Sequence, residues 1–143
     1  LDKFKDLKKL FTFLDLADFR EIPIDNFAYI GDAVIALRYK MKVLEDGRKK
    51  TRKINDDSIN FISAKAHSKF IDKVLDKFSE EEFGVYKRAL NSKGAKKRGN
   101  DLNYRKSTGF EAVVGYLFLK ERYDRLLKIF EVIESCMHTE ETY

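Results

Sequence analysis

Two carboxylates stand out by their surroundings. Asp32 is the only charge in "FAYIGDAVIAL", residues 27–37, and Glu111 the only charge in "TGFEAVVGYLFL", residues 108–119. A carboxylate left unpaired in apolar surroundings is costly unless it stays protonated or finds a partner. Each has a glycine nearby, which lets a neighbouring backbone approach closely. If the two segments pack together, the carboxylates converge in one cleft and repel each other unless a cation lies between them. Mg²⁺ is the expected ion, being hard, oxygen-seeking and able to keep waters for phosphate chemistry. Two plainer readings stay open. Thr108 and Glu111 have the spacing of a capping box, so Glu111 could cap its own helix. Asp32 could hydrogen-bond an arginine or a backbone amide in the core. Histidine adds no case for chemistry: His67 and His138 have no cysteine or second histidine at ligand spacing, and are expected as exposed or packing residues. No Ser-His-Asp order, Walker A loop or GxGxxG is present, so any reaction falls to acid residues and a metal.

The elements that must position these groups read as helices. Apolar residues at three- and four-residue intervals predict a helix from Lys3 to Phe19, ended by "REIPID" around the only proline, Pro23. Asp25 or Asn26 then caps a helix running to about Leu44, with Gly47 as its C′ residue. A basic connection, "GRKKTRK", leads to a helix opened by Asp56 or Asp57, with Ile59, Ile62, Ala66, Phe70, Val74 and Leu75 on one face. "SEEE" at Ser79 to Glu82 is a capping box that opens a helix to Leu90. After the polar stretch "NSKGAKKRGNDLNYRK", a helix is expected from Thr108 and a last one from Tyr123 to Cys136, with 137–143 fraying. Valine and isoleucine do not alternate as in strands, so the fold class is all-α.

With 143 residues, 43% hydrophobic and 13% aromatic, the chain is long and apolar enough for one domain with a real core, residues 1–143. The formal charge of +5 suits a polyanion, although general solubility explains a charge of this size as well. Cys136 is alone and no run approaches 18 apolar residues, which points to a reducing, cytoplasmic setting without a membrane span.

At this point the residues resemble a known family. "AYIGDAVIALRYK", "SAKAHSKFI" and "YRKSTGFEAVVGYLFL" are similar, in order and spacing, to segments of the Mini-ribonuclease III branch of the ribonuclease III family, over a core of about 22–136. The resemblance implies an all-helical homodimer that cuts both strands of double-stranded RNA in a Mg²⁺-dependent hydrolysis. It implies 5′-phosphate and 3′-hydroxyl ends, short 3′ overhangs and, in this branch, maturation of precursor 23S ribosomal RNA. Asp32 and Glu111 match the family's catalytic, metal-binding aspartate and glutamate. Full-length relatives carry two further carboxylates where this chain has Ala28 and Thr108, and the smaller branch has lost both. Asp25 falls where those relatives have an acidic residue, and here it is read as a helix cap.

Only seven residues follow Cys136, so no appended double-stranded-RNA-binding domain is expected. RNA affinity then rests on the catalytic domain's own cations and should fall steeply with salt. Lys93, Lys96, Lys97 and Arg98 are expected as a mobile basic cluster, with Arg105 where the loop meets the Glu111 helix. The family resemblance adds Lys65, in its Ser-Ala-Lys block. Ala89 and Leu90 depart from the family's Gly-Arg, whereas Asn91 and Lys93 match. Residues 27–37 are apolar nearly all round, so Phe27, Tyr29, Ile30 and Val34 are expected at a two-fold seam, full burial within one chain being the competing explanation. A non-catalytic double-stranded-RNA scaffold and a basic protein-interaction module are the alternatives to an enzyme.

Overall fold

The computed structural model describes residues 2–11, 19–46, 61 and 63–141. Among them are six α-helices and no strand: α1 Lys3–Phe11, α2 Ile24–Lys42, α3 Ala64–Val74, α4 Glu80–Leu90, α5 Leu102–Leu119 and α6 Tyr123–Glu141. Short 3₁₀ turns at Phe19–Glu21, Val43–Asp46 and Leu75–Lys77 extend or join them. The all-α expectation holds.

Helix starts follow local chemistry. The Ser63 hydroxyl accepts the Ala66 N–H and opens α3. The capping box at α4 is complete, with Ser79 accepting the Glu82 N–H and Glu82 accepting the Ser79 N–H. Asp101 accepts the N–H groups of Asn103 and Tyr104 and so starts α5 at Leu102, six residues earlier than the apolar pattern suggested. Helix α6 continues to Glu141, past the expected end at Cys136. Gly47, the basic stretch 47–53, Asp56, Asp57, Ile59 and Ile62 lie outside the described residues.

Helix α5 is the axis of the fold. From Ser107 to Leu117 every residue but Glu111 is buried, and a helix that is apolar all round must be enclosed. Helices α2, α3 and α4 supply that enclosure, with α6 closing the far side. Phe27 stacks on Phe19 and meets Tyr116 edge-on at 5.4 Å, joining α2 to α5. Helix α1 buries no residue, and rests Phe4 against Tyr123 and Phe11 against Phe118.

The crossing of α2 and α5 is closed down to backbone contact. A Cβ on Gly31 would stand 1.7 Å from the Glu111 carbonyl oxygen, and one on Gly115 would stand 1.9 Å from the Phe27 carbonyl oxygen. Neither space exists for any side chain, so these two glycines set the distance between the helices. Asp32 follows the first, and Glu111 lies one turn before the second.

Candidate active site

The crossing brings the two isolated carboxylates together. One oxygen each of Asp32 and Glu111, with a ring nitrogen of His67, all lie within 4.8 Å of one another. Asp32 is exposed, so its place in an apolar run is not a place in the core. The stripe Phe27, Gly31, Ile35 and Tyr39 faces inward, and Asp32 stands at its margin, open to solvent. The Glu111 side chain is 16% exposed, at the floor of the same opening.

Both plainer readings of Glu111 and Asp32 fall away. Thr108 sits inside α5, where its Oγ1 donates to the Tyr104 carbonyl, and Asp101 is the cap. Glu111 therefore caps nothing. Asp32, being exposed, is no core carboxylate. The positions one turn earlier, Ala28 and Thr108, are buried and supply no third or fourth acid.

His67 is the residue that sequence reasoning missed. Its Nδ1 is 3.1 Å from Glu111 Oε2 and its Nε2 is 3.1 Å from the Phe61 carbonyl oxygen. The ring is buried between Phe70 and Phe110, so it packs, as expected, but it is not idle. A signal was present: His67, Phe70, Ile71 and Val74 share i, i+3, i+4, i+7 spacing, which marks the buried face of α3. Burial, first, pushes the Glu111 carboxyl above its ordinary range, His67 pulls it back, and the nearby Asp32 pushes it further up. The two carboxylates, with the His67 imidazole beside them, form a group that could hold a divalent cation through carboxylate oxygens.

The basic loop is tied to the fold at its middle. Residues 91–100 form consecutive turns, and Lys93, Lys96, Lys97 and Arg98 all project into solvent. Against the expectation of a freely mobile segment, the loop has internal and tertiary contacts. Ala95 is buried, its N–H donates to Ser92 Oγ, and the Gly94 N–H donates to Asp25 Oδ2 at 3.2 Å. Asp25 is thus a loop anchor and not a helix cap, since the cap position of α2 is Pro23. Arg105 is engaged within the protein: its guanidinium donates to the Leu90 carbonyl, Asn91 Oδ1 and Asn100 Oδ1, which ties both ends of the loop together. Arg98 lies over the Tyr104 ring at 5.1 Å. Lys65 is exposed near the start of α3, two residues before His67.

The expected seam residues separate into two groups. Phe27, 1% exposed, belongs to the core stripe and cannot face another chain. Tyr29 is 79% exposed and starts the opposite stripe, continued by Ala33, Leu37 and Met41 at one-turn intervals. Ile30 and Val34 are half-buried beside it. Val34, Leu37 and Met41 line a groove of about 590 Å³ with Phe118, Leu126, Leu127 and Phe130.

Comparison with known proteins finds relatives over most of the chain. Residues 25–122 match the Ribonuclease III domain family. The chain is 41% identical over 116 residues to a Mini-ribonuclease 3 of Kosmotoga olearia, covering 80% of this chain and 79% of that protein. It is 33% identical over 107 residues to a Mini-ribonuclease 3 of a Thermoanaerobacter species, covering 73% and 75%. The crystal structure of a Fusobacterium nucleatum protein superposes with a TM-score of 0.72 at 25% identity, over 86% of this chain and 98% of that one.

Proposed function

Because the chain belongs to the ribonuclease III family, in its Mini-ribonuclease III branch, we propose that Asp32 and Glu111 hold Mg²⁺ and make this protein's cut in double-stranded RNA. The protein is an endoribonuclease of that family, and the family's substrate is double-stranded RNA. The single observation that carries the site assignment is the convergence of the two carboxylates across the Gly31–Gly115 crossing.

Glu111 and Asp32 provide the oxygen ligands, one seated in the floor of the opening and one at its mouth. When bound, the ion supplies Lewis-acid chemistry, activating water as a nucleophile and offsetting charge that builds on the phosphate. Hydrolysis with the 3′-oxygen as leaving group gives 5′-phosphate and 3′-hydroxyl ends. Lys93, Lys96, Lys97 and Arg98 approach the phosphates from an anchored loop, and Lys65 approaches them from α3. Such contacts read duplex shape and charge with little sequence preference.

A second copy of the chain covers the stripe Tyr29, Ala33, Leu37 and Met41, with Ile30 and Val34 at its edge. Asp32 lies beside that stripe, so two such copies present one cleft to each strand. Precursor 23S ribosomal RNA in the cytoplasm is the proposed natural substrate. The test is incubation of a long RNA duplex with Mg²⁺ or with EDTA, followed by end analysis. Cleavage with metal alone, leaving 5′-phosphates and short 3′ overhangs, is expected. Cleavage in EDTA, or 2′,3′-cyclic ends, would refute the metal reading.

A further inference from the structure

Among the described residues, His67 is a buried polar group in contact with Glu111 to which the reading above gives no task. Both its nitrogens are engaged, and the ring is buried. A carbonyl oxygen can only accept, so Nε2 carries a proton towards Phe61. Nδ1 meets the Glu111 carboxylate with one proton between them. The ring is thereby held at two points, and Phe70 and Phe110 pack around it at 6.0 Å between centroids.

Glu111 is itself a long side chain with several torsions to fix, and its partner Asp32 is exposed. Something must choose the rotamer that Glu111 presents. Among the described contacts of its carboxylate, His67 is the one made from the core. We propose that His67 is a positioning residue of the metal site, holding Oε2 of Glu111 and so fixing how that carboxylate would be presented to the ion. This rests on the reading of Asp32 and Glu111 as metal ligands. Partners that orient a ligand in this way typically change metal affinity by about 10–100-fold when removed. A histidine that served only to fill the core would change stability and leave the affinity of the folded protein alone.

The experiment titrates the purified full chain, without RNA, with Mn²⁺ and follows the free ion by electron paramagnetic resonance. His67→Leu and His67→Phe remove both hydrogen bonds while keeping bulk, and whichever gives the parent's circular dichroism and a cooperative melt is used. His67→Asn is the conservative variant, because its amide N–H can stand where Nδ1 stands. The folded apolar variant should bind Mn²⁺ about 10–100-fold more weakly, with His67→Asn recovering most of that loss. An apolar variant that binds as tightly as the parent, or an Asn variant no better than the apolar one, overturns the proposal. Asp32→Asn is measured alongside. If it too binds normally, the metal-site reading itself fails; if it alone is weakened, only the role of His67 fails.

Discussion

The Gly31–Gly115 crossing makes a quantitative demand. In Gly31→Ala the new methyl would lie 1.7 Å from the Glu111 carbonyl oxygen, 2.6 Å from its carbonyl carbon and 2.9 Å from the Gly115 nitrogen. All three are backbone atoms of a buried helix, so no side chain can swing aside. The helices must part by roughly 1.5–2 Å to restore ordinary contact. Overpacking of this kind costs about 1–3 kcal/mol or more, and alanine's better helix propensity returns only about 1 kcal/mol. For a domain of this size each net kcal/mol lowers the midpoint by roughly 3–4 °C. The larger effect is on chemistry, because the same parting separates Asp32 from Glu111. A displacement of about 1 Å in a reacting constellation can cost about 10²-fold in rate. Thermal melts and single-turnover cleavage of duplex RNA at saturating Mg²⁺ measure both. A Gly31→Ala protein as stable and as fast as the parent would refute the argument that this contact sets the site.

Three further outcomes follow from the same structure. Glu82 is buried and accepts both Arg125 N–H groups at 2.8 Å, so Arg125→Ala should cost about 3 kcal/mol in urea unfolding. Burial alone would raise the Glu82 carboxyl, but Arg125 and the Ser79 N–H together hold it below 4.5, so its stabilisation is present above that value and is lost as pH falls through the lowered one. Glu111 has the opposite sign: its raised pKa favours the protonated form in the folded, metal-free protein. Relative to Glu111→Gln, the metal-free parent should therefore lose stability as pH rises above 4.5, and Mg²⁺ should reverse that trend, as followed by melts across pH. Replacing Lys96, Lys97 and Arg98 by alanine should weaken duplex binding and reduce the slope of log K against log salt by up to about 3; an unchanged slope would remove the loop from RNA binding.

Much of the fold was readable in one dimension, because helix faces repeat along the chain. The capping box at Ser79 was plain for that reason. The start of α5 was not, since Asp101 and the polar turns after it precede the first apolar period at Phe110. The carboxylates were visible as charges in apolar runs, which is a local property. Their meeting was not, because it depends on Gly31 and Gly115 facing each other across 84 positions of chain. His67 was hidden for the same reason: its partner is 44 residues away. Phe27 and Tyr29 are two residues apart and both aromatic, yet they face opposite sides of α2, and packing against Tyr116 marks Phe27 as core. Asp25 looked like a cap, and the loop bonds of Arg105 went unseen, because their partners are loop atoms brought close by the fold.

The central claim is that Asp32 and Glu111 together carry the metal chemistry. It is tested most directly by single-turnover cleavage of an end-labelled RNA duplex with Asp32→Asn and Glu111→Gln at fixed Mg²⁺, alongside melts and RNA-binding isotherms. Each substitution should slow cleavage by at least about 10³-fold. Duplex affinity should be kept, and metal-free stability should be equal or higher, because two neighbouring carboxylates no longer repel. Cleavage by either folded variant within about tenfold of the parent's rate would contradict the claim, since both ligands are required in the proposed site.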